Sequence, residues 1–559
     1  MPESPPPVDV LLAAAGWKRP DAFQGPAIVI VATNDSFNDF GRQFRTIAHL
    51  IADDGTEQTV SHRLMFTNET ETRAVLERLA SKGPVRPEAI GLTFCSLFGD
   101  ADDYDRLVET FSADRVMPAL RRLHDVISLS ESEEDREALA LTRTADFALG
   151  MTRDAQTYSA FRRGHRRLMT PHQTDVRDAA VSFGGAFRIG ASWRTIAVEF
   201  DLEPDDFLRD RMAVLVGPNG MGKSTILAGI LKAIRSGQIE ASADDDWQDY
   251  LFPPPRFRKV IVVDSSDGAR YPRRLDPTEK HDYSYVTQSG DGEVVATMSL
   301  ALVDILRDPA PLFAGPADPR LASRKQVLRE VLKRLGLWDG AYLALLDGSP
   351  PIPGAGRLNG IYCVPVKSLT SEQQSLLAYQ HADHQRGVFH VRNGQIADLS
   401  SGEQMFFRLA VLIISAVEQA SLFLIDEPEN HLHPHYIAEL MGLLDRVLKP
   451  TRSCAIIATH SPFVVREVPR RRVKVLHRED GVVLADPPRL QTFGASVEAI
   501  AHAVFADGED IRLHEELLDA WISQRGFTAV DLPRVVEVYG DELNPETLSY
   551  IARRLRGRK

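Results

Sequence analysis

An α/β fold preceded by an extra α+β domain is what this sequence predicts, and three observations carry the prediction. The run MAVLV at 212–216 passes directly into a glycine-rich turn and then into a helical stretch at 225–234. Two further apolar runs, 422–425 and 455–459, end abruptly in polar residues and enclose a helical segment, giving a strand–helix–strand order. Ahead of them, residues 26–175 alternate strand-like and helical runs without sharing the glycine loop.

The chain has 559 residues, too many for one ordinary core, so two or three domains are expected. Hydrophobic residues make up 43% and charged residues 26%, a globular balance. The longest apolar runs, such as 410–417, fall well short of the ~20 residues that span a bilayer. The start MPESPPPVDV has neither a basic n-region nor a long apolar stretch, so no signal peptide is expected. Cys95, Cys363 and Cys454 lie far apart and make no disulfide framework or metal spacing, which fits a reducing cytoplasm. A net charge of −13 speaks against a protein that coats nucleic acid with its whole surface, although a local basic face remains compatible with it.

Along the chain, 1–25 is Pro-rich and reads as a loose start. Strands are expected at 27–33, 44–52, 60–66 and 89–97, a helix at 70–79, and mostly helix from 102 to 168, together an N-terminal α+β domain over 26–175. A second unit, 176–480, begins with strands at 186–189 and 195–200. Its stretch 236–395 reads as an insertion rich in proline and polar turns, holding a strand at 259–263 and a charged helix at 324–335. A hairpin follows at 473–486, and 481–559 is an α-rich tail. No heptad repeat is sustained long enough for a coiled-coil arm.

The glycine turn is Gly217-Pro218-Asn219-Gly220-Met221-Gly222-Lys223-Ser224, a complete G-x-x-x-x-G-K-[ST] loop between a strand and a helix. Its glycines let backbone N–H groups converge on phosphates, and the helix N-terminus adds a positive dipole end. Lys223 is placed to reach the β- and γ-phosphates of ATP and Ser224 to ligand Mg²⁺. The strand 422–425 delivers Asp426 and Glu427: the first is the candidate Mg²⁺ carboxylate, the second orients or deprotonates the attacking water. Leu399-Ser400-Ser401-Gly402-Glu403-Gln404 opens a helix expected over 403–417, so a Ser cap, a glycine and a helix dipole make a second anion site. The strand 455–459 ends in His460, whose imidazole is placed to hydrogen-bond a γ-phosphate.

In order and phrasing these four elements resemble the ABC-type P-loop ATPases, and more closely the soluble branch with Rad50, SMC, RecF and OLD-type proteins. The phrase Asp426-Glu427-Pro428-Glu429-Asn430-His431-Leu432-His433-Pro434, with Thr459-His460-Ser461-Pro462, looks like OLD-type anti-phage defence ATPases. The resemblance spans 180–500. It implies an ABC-type P-loop head with an antiparallel β-subdomain and a helical insertion. It implies nucleotide contacts from Gly217, Asn219, Gly220, Gly222, Lys223, Ser224 and Thr225. It also implies that Ser400, Gly402 and Glu403 of one head contact ATP on the P-loop of another, so that ATP closes a homodimer, with room for a larger assembly. A separate effector, a nuclease or toxin, is the expected partner, and no membrane is. RecF-like DNA repair with direct DNA binding is the rival reading, and a transporter subunit a weaker one.

Gln288, after the strand-like 283–286, is the candidate for the family's metal-contacting glutamine. Trp193 and Phe200 are candidates to stack adenine, with core packing as the alternative. His431, His433 and His435 alternate like zinc ligands, but their place after Glu427 is where the family has dimer contacts. Tyr158, Phe161 and Arg162-Arg163-Gly164-His165-Arg166-Arg167 form the densest basic cluster, read as a solvated helix face in preference to a phosphate-binding one. After the hairpin no strand-plus-carboxylate array of a Toprim nuclease is visible, so cleavage is not expected from this chain.

Overall fold

The computed structural model describes residues 5–23, 25–34, 41–129, 135–142, 144, 146–169, 182–189, 195–205, 209–236, 249–253, 255, 257–265, 270–273, 282–287, 292–308, 312, 323–430, 432–479, 482–505, 513–540, 542–543 and 545–557.

The N-terminal part is a five-stranded sheet: β1 (Asp9–Ala13), β2 (Ala27–Ala32), β3 (Arg45–Ile51), β4 (Glu57–Phe66) and β5 (Phe94–Phe98), in that spatial order. β1 lies parallel to β2, and the other neighbours are antiparallel. The start expected to be loose is therefore half wrong: DVLLA is a sheet strand, and its apolar residues sit beside the continuous apolar run of β2. Five helices accompany the sheet: α1 (Thr72–Leu79), α2 (Ala101–Phe111), α3 (Ala113–Arg122), α4 (Arg136–Leu141) and α5 (Ala155–Met169). Their apolar residues, among them Tyr104, Phe111 and Leu120, share a core with Ile28, Leu50, Phe66 and Phe94.

The second unit is built on a seven-stranded sheet. After an antiparallel pair, β6 (Ser182–Arg188) and β7 (Thr195–Asp201), come β8 (Met212–Val216) and the helix α6 (Lys223–Ser236). The strand β9 (Tyr250–Phe252) joins β6 and β7 in a small sheet, while β10 (Lys259–Asp264) and β11 (Asp282–Thr287) return to the large one. Helices α7 (Gly292–Arg307) and α8 (Arg324–Arg334) follow. Next is a five-stranded sheet of β12 (Ala341–Ala344), β13 (Gly356–Leu358), β14 (Ile361–Pro365), β15 (Val388–Arg392) and β16 (Gln395–Ala397), with α9 (Glu372–His381) between β14 and β15. Then come α10 (Ser401–Ala416), β17 (Ser421–Asp426), α11 (Pro434–Thr451), β18 (Cys454–Thr459), α12 (Pro462–Val465) and the hairpin β19 (Val473–Glu479) and β20 (Val482–Asp486). The order across the large sheet is β11-β10-β17-β18-β8-β19-β20, parallel except for the final pair.

Why β8, β17 and β18 are uninterrupted apolar runs is now plain: both faces are covered. Val214, Phe423, Ile425 and Ile457 face α7, α8, α10 and α11. Ala213, Leu215, Leu424 and Ile456 face α6 and the small β6–β7–β9 sheet. The stretch 236–395 is not one helical insertion, because β10 and β11 within it are members of the large sheet. Its five-stranded sheet was not legible either: these strands are three to five residues long and partly exposed, too short for a periodic signal.

At the C-terminal side, α13 (Val497–Ile500) precedes α14 (Leu513–Arg525), α15 (Leu532–Tyr539) and α16 (Pro545–Gly557), which share a small core around Ile522, Val535, Ile551 and Leu555.

The two large units meet through α5. Gly164 packs so tightly that a Cβ there would lie 2.1 Å from Ile127 and 2.6 Å from Tyr104. From the same helix Arg162 stands 3.6 Å from Asp304 of α7, and Tyr158 donates its hydroxyl to Asp304. Arg307 donates to the Thr152 carbonyl at 2.6 Å and lies over the Tyr158 ring. Arg162 thus reaches a domain junction while its side chain stays 46% exposed. The side chains at 163 and 165–167 lie outside the described residues.

Candidate phosphate-binding and hydrolysis site

The parallel order β17-β18-β8 brings three loops to one sheet edge. In register, Thr459 pairs with Val216 and Asp426 with Ala458, so the glycine loop, His460 and Glu427 leave neighbouring strands side by side. Loops at the carboxyl ends of parallel strands are where such sheets bind ligands.

In the loop itself, Gly217, Gly220 and Gly222 have φ of 158°, 80° and 93°. A Cβ on Gly217 would lie 2.6 Å from the Leu476 carbonyl, and one on Gly222 2.8 Å from Ile189, so both conformation and space require glycine. Asn219 and Thr225 are exposed at the loop tip and on the first turn of α6. Lys223 is buried, and its Nζ donates to the carbonyls of Gly217 at 2.8 Å and Pro218 at 3.2 Å. Burial pushes its pKa down, opposed by the carboxylates of Glu427, Glu429 and Asp426.

Ser224 Oγ donates to Asp426 Oδ1 at 2.9 Å, so the two candidate metal ligands already touch. Asp426 Oδ2 accepts from the Tyr271 hydroxyl at 2.9 Å and stands 3.7 Å from the Arg270 guanidinium. Burial raises the Asp426 pKa, and the hydrogen bonds from Tyr271 and Ser224 oppose that rise. On the next strand Asp264 lies in register with Asp426 and accepts from the Tyr285 hydroxyl at 3.0 Å. A hydroxyl beside a carboxylate is the hard-oxygen donor set that suits Mg²⁺.

Glu427 adopts φ +49°, a strained conformation for a non-glycine residue, fixed by its N–H donating to the Ala458 carbonyl at 2.8 Å. Asn430 Nδ2 donates to Glu427 Oε2 at 3.2 Å and to Ser265 Oγ at 2.9 Å. His460 Nδ1 lies 3.6 Å from Glu427 Oε1 and 3.2 Å from Glu429 Oε1. Glu429 also accepts from Thr459 Oγ1 at 2.5 Å and from the His460 N–H at 2.7 Å. The half-exposed His460 is therefore fastened from beneath by a buried carboxylate.

Ser400 caps α10 in a reciprocal box: its Oγ accepts from the Glu403 N–H at 3.3 Å, and Glu403 Oε2 accepts from the Ser400 N–H at 2.8 Å. Arg392 of β15 binds Glu403 Oε1 at 2.6 Å. A Cβ on Gly402 would press to 3.1 Å on the Tyr436 ring. Among the described residues, the hydrogen bonds of this helix start include those of its own cap and one from Arg392.

The structure brings Lys223, Ser224, Asp426, Glu427 and His460 together, and sets Ser400, Gly402 and Glu403 on a separate helix start. The sequence assigned no role to Glu429, Asn430, Asp264 or Tyr271. The first two lie inside the acidic phrase after β17, where alternating carboxylates are a usable signal; Tyr271 has none. Gln288, Trp193 and His431 lie outside the described residues. Phe200 is buried against Phe183 in the core of the small sheet, so it is unavailable to stack adenine. His433 caps α11, its Nδ1 accepting from the His435 N–H at 3.4 Å.

Fold and site together set a P-loop motif and a carboxylate pair at one edge of a mostly parallel α/β sheet, on a chain with additional sheets. A family model described as "AAA domain, putative AbiEii toxin, Type IV TA system" matches residues 380–466, the stretch holding the α10 start, the Asp426-Glu427 pair and His460. Protein ea59 of Escherichia phage lambda is 24% identical over 321 residues, covering 56% of this chain and 57% of that protein. The chain thus spans a little over half the length of the curated relative it matches. Among solved structures, the SMC head domain from Thermotoga maritima is 12% identical, covering 55% of this chain and 98% of its own, with a TM-score of 0.27. The ADP conformation of an ATP-binding cassette of an ABC transporter is 11% identical, covering 60% and 98%, also with a TM-score of 0.27.

Proposed function

We propose that this protein is an ATPase switch: it binds ATP at the P-loop, closes two heads around it, hydrolyses it and passes the change to a partner effector. The observation that carries the reading is the contact of Ser224 with Asp426 at 2.9 Å, with Glu427 next in the chain and His460 beside it. That contact joins the loop that cradles phosphates to the carboxylates that hydrolysis needs. The P-loop N–H groups and Lys223 bind the β- and γ-phosphates, Lys223 leaving the two loop carbonyls it now holds. Ser224 and Asp426 are the residues that would hold Mg²⁺, which when bound neutralises charge on those phosphates. Glu427 accepts the proton of the attacking water, its carboxylate oriented by Asn430. His460, anchored by Glu429, donates to a γ-phosphate oxygen.

The α10 N-terminus, with Ser400 and Gly402, completes the site of a second copy. Support comes from its exposed start, where Ser400 and Glu403 cap each other. The acidic phrase after β17, the toxin–antitoxin description of the matched family and the phage-encoded relative support a role in phage–host conflict, with a separate nuclease or toxin as the effector. No described helix is long and apolar enough to cross a membrane.

The test is Glu427→Gln. Its amide oxygen still accepts from Asn430, so folding and ATP binding persist, while turnover falls by at least ~100-fold, the usual weight of a general base. The variant is expected to elute as a dimer with ATP and Mg²⁺. Wild-type turnover, or a monomer at saturating ATP, would refute the reading.

A further inference from the structure

The segment between β10 and β11 places two side chains against Asp426 that the hydrolysis scheme does not use. Tyr271 is 3% exposed, and its hydroxyl lies 2.9 Å from Asp426 Oδ2 and 3.4 Å from the Ser224 carbonyl. Its single proton goes to the carboxylate, the shorter of the two contacts. Ser224 Oγ already occupies Oδ1, so the carboxylate is held at both oxygens. Such fixing matters here because Asp264, fully buried, stands in register on the adjacent strand, and like charges at close range drive a carboxylate to rotate away. Arg270 differs in kind: its side chain is 49% exposed, and its guanidinium reaches to 3.7 Å from the same Oδ2. A long, half-solvated cation at that distance is attracted to the carboxylate yet free to withdraw into water.

We propose that Tyr271 and Arg270 are opposed positioning residues for the divalent cation of this site, Tyr271 holding Asp426 in its binding orientation and Arg270 competing with the ion for Asp426 Oδ2. The inference rests on the assignment of Ser224 and Asp426 as the Mg²⁺ ligands. It explains why the chain spends a buried tyrosine and an arginine on a residue that its own β17 already positions. The two side chains push the ion's affinity in opposite directions, which a purely structural role would not do.

The experiment is a Mg²⁺ titration of the full chain with a fluorescent, non-hydrolysable ATP analogue, reading bound analogue and not turnover. Tyr271→Phe is expected to raise the Mg²⁺ needed for half-saturation about tenfold, the equivalent of one hydrogen bond to a charged group. Arg270→Gln is expected to lower it by about threefold to fivefold, more at low salt, as for one charge at this distance near water. Melting in EDTA checks that both variants fold, and half-exposed Arg270 keeps the test alive if Tyr271→Phe does not. Half-saturation within twofold of wild type for folded variants, or shifts of the same sign, overturns the proposal. A wild-type chain whose binding of the analogue ignores Mg²⁺ altogether removes the ligand assignment, and this inference with it.

Discussion

Glu429 offers the sharpest test of how this site is held together, because its role is read from geometry alone. Its side chain is buried, and Oε1 collects the Thr459 hydroxyl at 2.5 Å, the His460 N–H at 2.7 Å and His460 Nδ1 at 3.2 Å. Glu429→Ala strands two buried or half-buried donors, each worth ~1–3 kcal/mol when left unpaired. Part of that cost is returned, since Oε2 is itself buried without a hydrogen-bond partner among the described residues. A net loss of about 2 kcal/mol follows, or roughly 4 °C in the melting of a unit this size. The larger consequence is local. With its anchor gone, His460 no longer stands ready for phosphate, and the loss of one such contact lowers turnover by about tenfold. Glu429→Gln keeps an acceptor oxygen toward Thr459 and His460 and is expected to melt within ~1 kcal/mol of wild type. Differential scanning fluorimetry together with steady-state ATP hydrolysis measures both effects. If Glu429→Ala melts and turns over like wild type, the anchoring role is refuted.

Two other predictions concern assembly and the N-terminal domain. Ser400→Arg places a bulky cation at the start of α10 and is expected to bind ATP yet fail to pair on sizing columns; mixing it with Lys223→Ala chains should restore part of the activity, whereas normal hydrolysis by Ser400→Arg alone would remove the shared site. Asp125, buried beneath Tyr104, has its pKa raised by burial from 3.8 to about 7, so the stability it contributes is complete below pH 3.8 and is lost as pH rises toward 7. Asp125→Asn is therefore expected to close the gap with wild type, or overtake it, between pH 4 and 7 in melting curves. A gap independent of pH would show that Asp125 titrates in its ordinary range. His62, pushed down to about 3 by burial, acts oppositely, losing stability as pH falls below 6.5, but equally in both proteins.

By itself the sequence determined the parts whose signal is local. The P-loop was legible because three glycines at positive φ and a lysine at fixed spacing are demanded by backbone approach to phosphate. Strands β8, β17 and β18 were legible because burial on both faces writes an unbroken apolar run. Asp426, Glu427 and His460 were legible because each follows directly on such a run. The cap at Ser400 was legible because a serine stands directly before a helical run.

Only the tertiary structure decided the rest. Strand β18 lies between β17 and β8, although β8 comes far earlier in the chain, and that order is what sets His460 beside Glu427. The strand at residues 9–13 exists because β2 offers it a partner edge; five residues after a proline run carry too little periodicity to announce it. Arg162 was one arginine among several in a basic stretch until α7 brought Asp304 to it. Tyr271 meets Asp426 across 155 residues of chain. Contacts of that separation are selected by the packing of the whole sheet and its helices, and they impose no spacing or periodicity on the residues that make them, so they leave no local pattern to be read.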